Sequence, residues 1–537
     1  MEVVPSRGTL QKAVDELRDD LRKSKERIED LQKELEDCRE GLLRNEATDL
    51  SIIAEPYFER TIPNPSGPNL IIDPVYGSIR IEPKLSRLIK HGTLVRLDYL
   101  RQLPFVAVEN ANATHTRQAH SLGVARFCEM AIQEMLNRDK IFVKNSDKIE
   151  NFDLEHSDKE EFVFLAKVCG LLHDIGHAPF GHSLDRLVPI KIKEAQKGGQ
   201  HPDKYFSALY VKEYLSDALQ EIGIDPDTVI SILCPAFGAN PEEKPYTKYL
   251  SILKIVVDSD LDVDRMDFLI RDSMSSGLPF AFVNATALID GMRPVTTEEE
   301  GRKIYTLAYD EGVASHVEHA TYGRHAMYDH CYETDTRIAC ETMLIYCVRD
   351  FLHQSSLEMK DLIKYADDEL LNHIIKYARR DTTAFNVAVE LKMRRVYDTV
   401  FSQATDPKLR GGICEVVDDY IKARIEERYD DPIAPIEDWR NKITDGVLSR
   451  EGEEWKTLVY LTPPDRFEQS GIVNVYILLG KSGNKVARIS DHKPRIGQIV
   501  RDYTKSMPRL RVFVSPSLDE NKVGLIRNNC ERFFRIG

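Results

Sequence analysis

The chain has 537 residues, 42% of them hydrophobic and 30% charged, which is typical of a globular protein with a sizeable core. Its 73 basic and 88 acidic residues give a formal net charge of −15, so we expect neither a nucleic-acid packaging protein nor a nucleic-acid substrate. Because the nine cysteines form no CxxC pair, no apolar run reaches the ~18 residues of a membrane span, and no signal peptide precedes the helical pattern, we expect a cytoplasmic protein without a membrane partner.

Residues 1–47 carry a heptad pattern. Two apolar positions recur every seven residues, and charged residues fill most of the others. The apolar residues are Val14, Leu21, Ile28, Leu35 and Leu42 at one position and Leu10, Leu17, Leu31 and Cys38 at the other. A narrow apolar stripe between charged flanks predicts a coiled-coil helix that self-associates. The alternative is a single long helix that packs on its own body.

Residues 48–435 are predicted to form one mostly α-helical body. Its first part places Pro and Gly around two short β-like runs, LIID and SIRI, which indicates a turn or small hairpin. Apolar residues spaced by three and four then predict long helices. These lie at 116–137, 161–173, 205–222, 247–273 and 313–350, and the region from 357 to about 400 is also predicted to be helical.

Residues 436–537 differ in character from the body. Short β-rich runs, LVYLTP, VNVYILLG, VARIS and LRVFVS, accompany two helical patterns, RIGQIVRDYTK and GLIRNNCERFF. We therefore predict a small α+β appendage. The GKS sequence at 480–482 is not a P-loop, because Val475 stands where that motif requires a glycine.

The run GLLHDIGHAPFGHSLD concentrates histidines within the helical body. An apolar helix brings His173 and Asp174 to its end, and a Gly-Pro loop then carries His177 and His182. Consecutive residues do not share one face of a straight helix, but His173 and Asp174 can do so where the chain leaves helical geometry near Gly176. A single histidine is usually an ordinary polar residue, whereas this cluster predicts a chemical site.

Segments on either side of this run supply further ligand types. Upstream, His120 lies at the start of another helix, and downstream a helical segment holds Asp262, Asp264, Asp267 and Asp272. Imidazole and carboxylate together suit divalent ions such as Fe, Mn, Zn, Ni or Mg. One histidine and one aspartate from these segments would complete four ligands and leave positions for water and substrate.

The order H…HD…D resembles the HD-domain metal-dependent phosphohydrolases. RQLPF, HTRQAHSLGV, GLLHDIGHAPFGHSLD and DVDRMDFLIRD also resemble, in order and spacing, the deoxynucleoside triphosphate triphosphohydrolases, namely the SAM/HD-domain enzymes and bacterial dGTPases. DPVYGSI and RHAMYDHCYETDTRIACETML look like further segments of that family. The resemblance covers roughly residues 68–410 and implies a mainly α fold, an HD-domain helical body between the coiled coil and the appendage.

The resemblance implies a metal centre and a group of catalytic residues. The implied cofactor is a divalent metal ion (Mg, Mn, Fe, Co or Zn), and the implied ligands are His120, His173, Asp174 and Asp264. The implied catalytic residues are His182, the carboxylate Asp185 that orients it, His177 and His201. A histidine that titrates near neutral pH can give a proton to the departing 5′ oxygen or take one from the attacking water.

The resemblance also implies a substrate-binding set. Cationic side chains must surround a triphosphate, and arginine gives bidentate contacts to phosphate oxygens. The implied residues are Arg117, Arg265 and Arg324 for phosphate, Gln102, Leu103 and Tyr332 for the deoxyribose, and Phe268 and Asp272 in the segment that follows the last metal ligand. Phe268 stands where the family usually has tyrosine, so a hydroxyl contact to phosphate is lost.

The implied reaction converts a dNTP and water into a deoxynucleoside and inorganic triphosphate. Relatives assemble as tetramers, so we expect a homo-oligomer, and we also expect control by a regulatory nucleotide. Lys90 and Asp98 reverse the charges of the vertebrate enzymes' activator site, which disfavours activation of the vertebrate type. Because some relatives deplete dNTP pools against viruses or phages, a role in antiviral defence is a further hypothesis.

Two other functions stay open from the sequence. One is a different HD-type nucleotide phosphohydrolase or phosphodiesterase. The other is a non-catalytic nucleotide-sensing scaffold, which the coiled coil and the appendage would suit. The intact set of metal ligands argues against a scaffold.

Overall fold

The computed structural model describes residues 70–144, 146–188, 202–299, 302–404, 434–448, 453–462, 475–480, 485–498 and 508–534. The predicted coiled coil and His201 lie outside these residues. Within them the fold is mainly α, as predicted. The helices up to the middle of the body are α1 (Pro83–Ile89), α2 (Gly92–Val95), α3 (Arg117–Arg138), α4 (His156–Leu172), α5 (Pro202–Tyr210), α6 (Ser216–Glu221), α7 (Pro226–Leu233), α8 (Leu250–Val257), α9 (Val263–Ser276) and α10 (Ala285–Gly291).

The second half contains eight further helices within the described residues. They are α11 (Ala314–Met327), α12 (Asp335–Gln354), α13 (Met359–Leu362), α14 (Asp367–Tyr377), α15 (Thr383–Lys392), α16 (Ala434–Thr444), α17 (Ile489–His492) and α18 (Glu520–Phe534). A seven-residue 3₁₀ helix at Gly181–Leu187 and a π-helical turn at Tyr328–Tyr332 belong to the functional site described below. None of these helices combines the length and the apolar character that a bilayer span needs.

A small antiparallel hairpin begins the described part of the chain. Strands β1 (Leu70–Asp73) and β2 (Gly77–Arg80) pair with Ile71 opposite Ile79. The Asp73 side chain accepts hydrogen bonds from the backbone N–H groups of Val75 and Tyr76 at 2.8 and 3.1 Å, an Asx-type turn. The hairpin that LIID and SIRI predicted is confirmed.

Helices α3 and α4 pack closely at the centre of the core. The Thr116 hydroxyl caps α3 by accepting from the N–H of Ala119. A side chain at Gly170 would place Cβ 2.9 Å from the Cα of Ala125 on α3, so only glycine allows this approach. Gly123 serves α3 in the same way where it meets α9, since a Cβ there would lie 1.9 Å from Asp267 Oδ1. These contacts bring the segments rich in His and Asp together.

A long hairpin in the middle of the body was not predicted. Strands β5 (Met292–Glu299) and β6 (Arg302–Asp310) pair antiparallel, and β3 (Ile141–Val143) and β4 (Ile149–Glu150) extend the same sheet. Beyond β6 lie β9 (Tyr476–Leu479) and β10 (Lys485–Arg488), which come from the C-terminal region. The order is β10-β9-β6-β5-β3-β4.

A second sheet corrects the prediction of helix up to about residue 400. Helix α15 ends at Lys392, Arg394 adopts a positive φ of 55°, and the chain continues as strand β7 (Asp398–Ala404). Strand β11 (Pro508–Val514) lies between β7 and β8 (Thr457–Leu461), so the order is β7-β11-β8. The C-terminal strands therefore complete two sheets that begin in the body.

Candidate active site

Three helices bring the four predicted metal ligands together. His120 lies on α3, His173 and Asp174 lie where α4 ends, and Asp264 lies in the first turn of α9. The Nε2 atoms of His120 and His173 are 2.9 and 3.6 Å from Asp264 Oδ1. The same two nitrogens are 3.8 Å from Asp174 Oδ2 and 3.3 Å from Asp174 Oδ1, respectively. One divalent ion, bound at about 2.0–2.2 Å from each donor, fits among atoms this far apart.

Both imidazole rings are fixed through their other nitrogen. Nδ1 of His120 lies 2.7 Å from Asp267 Oδ2, and Nδ1 of His173 lies 2.8 Å from the carbonyl oxygen of Gly170. A partner of this kind sets the tautomer and leaves Nε2 as the ligand atom. No role was predicted for Asp267, although its spacing of three from Asp264 places both residues on one side of α9.

Asp267 is itself held by a buried network that reaches the N-terminal hairpin. Arg271, one turn further along α9, donates to Asp267 at 2.9 and 3.0 Å and to Asp73 at 2.8 Å. The Tyr76 hydroxyl also donates to Asp267. The turn of the hairpin therefore supports the orientation of His120, through side chains almost 200 residues apart in sequence.

The electrostatics of this cluster suit a cation. Burial alone would raise the pKa of both Asp174 and Asp264, but His173 and neighbouring groups hold the two values well below the usual range. Burial would lower the pKa of His120, and hydrogen bonds to Asp264 and Asp267 raise it instead to about 10. Asp174 and Asp264 are therefore ionised, and a divalent ion requires deprotonated carboxylate ligands.

The loop after Asp174 is anchored from outside. Buried Arg96 donates to the carbonyl oxygens of Ile175 and His177, both at 2.9 Å. The Asp367 carboxylate accepts from the N–H of Phe180 at 2.6 Å. The next residue, Gly181, has a φ of 59°, and a Cβ there would lie 2.4 Å from the Arg117 guanidinium. The sharp turn that leads to His182 therefore requires glycine.

The predicted catalytic histidines have different environments. His182 lies on the 3₁₀ helix with 53% of its side chain exposed, and its Nδ1 is 2.9 Å from Asp185 Oδ2. Burial would lower the pKa of His182, but Asp185 and Asp203 raise it. His177 is buried, its Nε2 is 3.2 Å from Asp174 Oδ1, and burial together with the Arg117 charge lowers its pKa to about 4.

Asp203 and Lys204 complete this group and were missed from the sequence. Asp203 Oδ2 lies 3.8 Å from both His177 Nε2 and Lys204 Nζ. Burial would lower the pKa of Lys204, but Asp203 and other carboxylates raise it, so the ammonium stays charged. The sequence signal was Pro202, which is suited to the first turn of a helix and places Asp203 there.

A cavity of about 270 Å³ joins these groups. Every residue of the predicted substrate-binding set lines it, together with Asp174, Asp264, His177 and His182. His120 and His173 lie beneath this surface and are fully buried. The lining residues of the predicted set are Gln102, Leu103, Arg117, Arg265, Phe268, Asp272, Arg324 and Tyr332.

Five cationic side chains among the described residues line the cavity, and three of them are the predicted arginines. Arg117 Nη1 donates to Asp174 Oδ2 at 2.6 Å, which ties this guanidinium to the metal cluster. Arg265 donates to the carbonyl oxygen of Ser259 and keeps 24% of its side chain exposed. Arg324 is buried and lies 5.8 Å from the centre of the Phe268 ring.

Other residues of the cavity lining are aromatic and hydrogen-bonded. The Tyr332 hydroxyl donates to Asp272 Oδ2 at 2.7 Å, and His115 Nε2 lies 2.6 Å from Asp272 Oδ1. The Phe268 ring lies edge-on to Tyr332 with 6.3 Å between ring centres. Among the described residues none hydrogen-bonds the buried Oε1 of Gln102, so this acceptor is available to a ligand.

Comparison with known sequences agrees with this geometry. Residues 117–258 match the HD domain family. This range includes three of the four predicted metal ligands, and Asp264 follows shortly after it. The chain contains an HD domain. The predicted resemblance to HD-domain phosphohydrolases is confirmed, and since HD domains are metal-dependent, so is the prediction of a divalent metal cofactor.

The similar proteins lie at moderate distance. The chain is 28% identical over 275 residues to an uncharacterized protein of Mycoplasma genitalium, which covers 51% of this chain and 58% of that one. It is 26% identical over 255 residues to the deoxynucleoside triphosphate triphosphohydrolase SAMHD1 of Bos taurus, with 43% and 41% covered. The chain thus spans about two fifths to three fifths of these relatives.

A solved structure shares the fold. The crystal structure of a hypothetical protein from Aquifex aeolicus superposes with a TM-score of 0.55 over 85% of this chain and 99% of that one, at 19% sequence identity. This likeness extends the fold comparison well beyond the residues that match the HD domain family. Together the comparisons support a hydrolase of the HD type.

Proposed function

We propose that the protein is a metal-dependent dNTP triphosphohydrolase. The observation that carries the proposal is one cavity whose lining joins a His₂Asp₂ metal cluster, the three predicted arginines and the Tyr332–Asp272 pair. A triphosphate needs the cations, and a sugar fits against the aromatic, hydrogen-bonded side chains. The similarity to SAMHD1, named as a deoxynucleoside triphosphate triphosphohydrolase, supports this choice of substrate.

The proposed reaction adds water to the α-phosphorus and breaks its bond to the 5′ oxygen. The hydroxyl of water stays on the released triphosphate, and the deoxynucleoside leaves with a proton on its 5′ oxygen. When bound, the metal would polarise the α-phosphate and lower the pKa of water. His182, held by Asp185, gives the proton to the departing oxygen, and the arginines hold the triphosphate.

Selection of the deoxy sugar is assigned to Tyr332. Its hydroxyl is engaged by Asp272, which is fixed in turn by His115, so the ring has one defined position. A ring packed under the sugar leaves little room for a 2′-hydroxyl. Gln102, with its open acceptor, is placed to receive a hydrogen bond from the 3′ edge.

The test is product analysis. The purified full-length chain is incubated with each dNTP and rNTP in the presence of Mn²⁺, Mg²⁺ or Co²⁺, alone and in nucleotide mixtures. We expect a deoxynucleoside and inorganic triphosphate from dNTPs and little turnover of rNTPs. Release of monophosphate and pyrophosphate would instead identify another nucleotide hydrolase, and nucleotide binding without turnover would identify a sensing scaffold.

The proposal also covers the oligomeric state, the location and the biological role of the protein. We infer a cytoplasmic homo-oligomer, with a tetramer favoured, that is regulated by a nucleotide and acts in antiviral defence. The heptad pattern of residues 1–47 supports self-association. Deletion of these residues should lower the mass measured by light scattering, and an unchanged mass would assign the pattern to a helix packed on its own chain.

A further inference from the structure

Strand β8 lies at the edge of the sheet β7-β11-β8, called the C-terminal sheet below, and it contacts the 3₁₀ helix that carries His182 and Asp185. Arg186, the residue after Asp185, donates from Nη2 to the carbonyl oxygen of Leu461 at 2.7 Å. Its guanidinium lies 4.4 Å from the centre of the Tyr460 ring, within cation–π range. The C-terminal region thus contacts Arg186, the residue next to the carboxylate that is proposed to orient His182.

Tyr460 is also linked to the cavity through two further side chains. Its hydroxyl donates to Glu341 Oε1 at 3.4 Å, and Glu341 Oε2 lies 2.9 Å from Arg337 Nη2. Arg337 lines the cavity and donates from Nη1 to the carbonyl oxygen of Tyr332 at 2.6 Å. Tyr460 and Glu341 are each only 1% exposed, so these contacts are made in the protein interior.

External support matters at this helix more than elsewhere. A 3₁₀ helix has poorer hydrogen-bond geometry than an α-helix and is stable only in short pieces. The helix at Gly181–Leu187 also begins at a sharp turn, because Phe180 before it and Gly181 at its first position both have positive φ. The hydrogen bond from Arg186 to the β8 backbone supplies one external contact.

We infer that Tyr460 and Arg186 are positioning residues of the active site, and that the C-terminal sheet is thereby a working part of the catalytic unit. The inference rests on the proposed function for its kinetic consequences. Arg186 positions the helix that carries the proposed proton donor. The Tyr460 hydroxyl acts through Glu341 and Arg337 on Tyr332, which is proposed to contact the sugar. The two contacts should therefore affect different kinetic constants.

The experiment compares six variants of the full-length protein, with Arg186→Lys as the conservative one. Arg186→Gln and Tyr460→Leu remove the contact to the 3₁₀ helix, and Tyr460→Phe keeps the ring but removes the hydroxyl. The matched controls are Tyr346→Phe and Arg440→Gln. The Tyr346 hydroxyl donates to the carbonyl oxygen of Val459 at 3.2 Å, so Tyr346→Phe breaks a contact between strand β8 and α12. The Arg440 guanidinium lies 5.7 Å from the centre of the Tyr346 ring, so Arg440→Gln breaks a contact between α16 and α12. Neither contact includes a residue that lines the cavity.

The expected kinetic result is a split between kcat and KM. Arg186→Gln should lower kcat by about 10- to 100-fold, as displacement of a catalytic group does, with little change in KM. Tyr460→Leu should lower kcat similarly and also raise KM, because leucine lacks the hydroxyl that contacts Glu341. Tyr460→Phe should raise KM a few-fold and keep kcat, and Arg186→Lys should recover part of the lost kcat. If the controls lose as much kcat as Arg186→Gln at similar melting temperatures, the inference is wrong.

Hydrogen exchange separates this inference from the proposed function. Amides of residues 181–187 should exchange faster in Arg186→Gln and Tyr460→Leu than in the wild type, and those of the two controls should not. A wild-type protein that hydrolyses no nucleotide refutes the proposed function, and exchange then still decides whether Tyr460 and Arg186 hold the helix. Unchanged exchange at 181–187 overturns the inference in either case.

Discussion

The inner and outer parts of the candidate active site are held in opposite ways. At the inner end, His120 and His173 are fully buried, and each ring is fixed at Nδ1 by a buried acceptor. At the outer end, more than half of the His182 side chain is exposed, on a 3₁₀ helix that depends on contacts from the C-terminal sheet. The proposed metal ligands are thus held by a buried network, whereas the proposed proton donor lies at an exposed rim of the cavity.

The largest effect is expected from removal of inner ligands. A chain with both His173→Ala and Asp174→Ala loses half of the predicted donor set and should lose its bound metal and all measurable hydrolysis. Metal content by mass spectrometry and product release measure the two losses together. Retained turnover in this variant would refute the ligand assignment.

A smaller effect on metal binding is expected from a change at Asp267, which supports His120. Asp267→Asn keeps the shape of the side chain but weakens the hold on His120 Nδ1 and on Arg271. Loss of such an outer-shell partner lowers metal affinity by about 10- to 100-fold. The control is Glu129→Gln, which breaks the 2.7 Å ion pair between Glu129 on α3 and Lys167 on α4 without touching a ligand. Equal metal affinity in the two variants would contradict the orienting role.

The outer region should respond to pH. Burial and the Arg117 charge lower the pKa of His182, while Asp185 and Asp203 raise it above its usual value. As a proton donor His182 must be protonated, so activity should fall as pH rises through this pKa. Asp185→Asn removes the largest raising influence and should move that alkaline limb to lower pH. A pH–rate profile measures the shift, and a limb that stays in place would exclude His182 as the donor.

The smallest effect is expected at Phe268. Phe268→Tyr adds the hydroxyl that related enzymes usually carry, in a position near the Arg324 guanidinium. One added hydrogen bond contributes about 0.5–1.5 kcal/mol, so KM should fall by roughly 2- to 10-fold with kcat little changed. Steady-state kinetics decide this, and a higher KM would show that the ring alone fits the substrate.

The sequence predicted the inner cluster better than its surroundings. His173, Asp174, His120 and Asp264 could be identified because a metal site needs particular residue types, and these leave a pattern along the chain. The orienting role of Asp267 could not, because it depends on Arg271 and on a hairpin almost 200 residues away. Asp203 was missed for a related reason, since only packing shows that it faces His177.

Secondary structure shows the same division. Helices α3, α4 and α9 have the apolar spacing of three and four that a buried helix face requires, and they were predicted. Strand β7 was predicted to be helical because its sequence continues the helical pattern of α15, and the turn depends on a positive φ at Arg394 that the sequence does not indicate. Pairing with β11, more than 100 residues later, decides the strand.

The link from Asp73 to Arg271 also has a consequence for folding. During synthesis the chain emerges from its N-terminus, so the hairpin and His120 appear long before α9. Contacts of such long sequence separation form late, because they must overcome the entropy of closing a long loop. The proposed ligands and their supporting side chains cannot all be present on a nascent chain until about residue 271 has been made, so metal binding at this site would have to follow synthesis of α9.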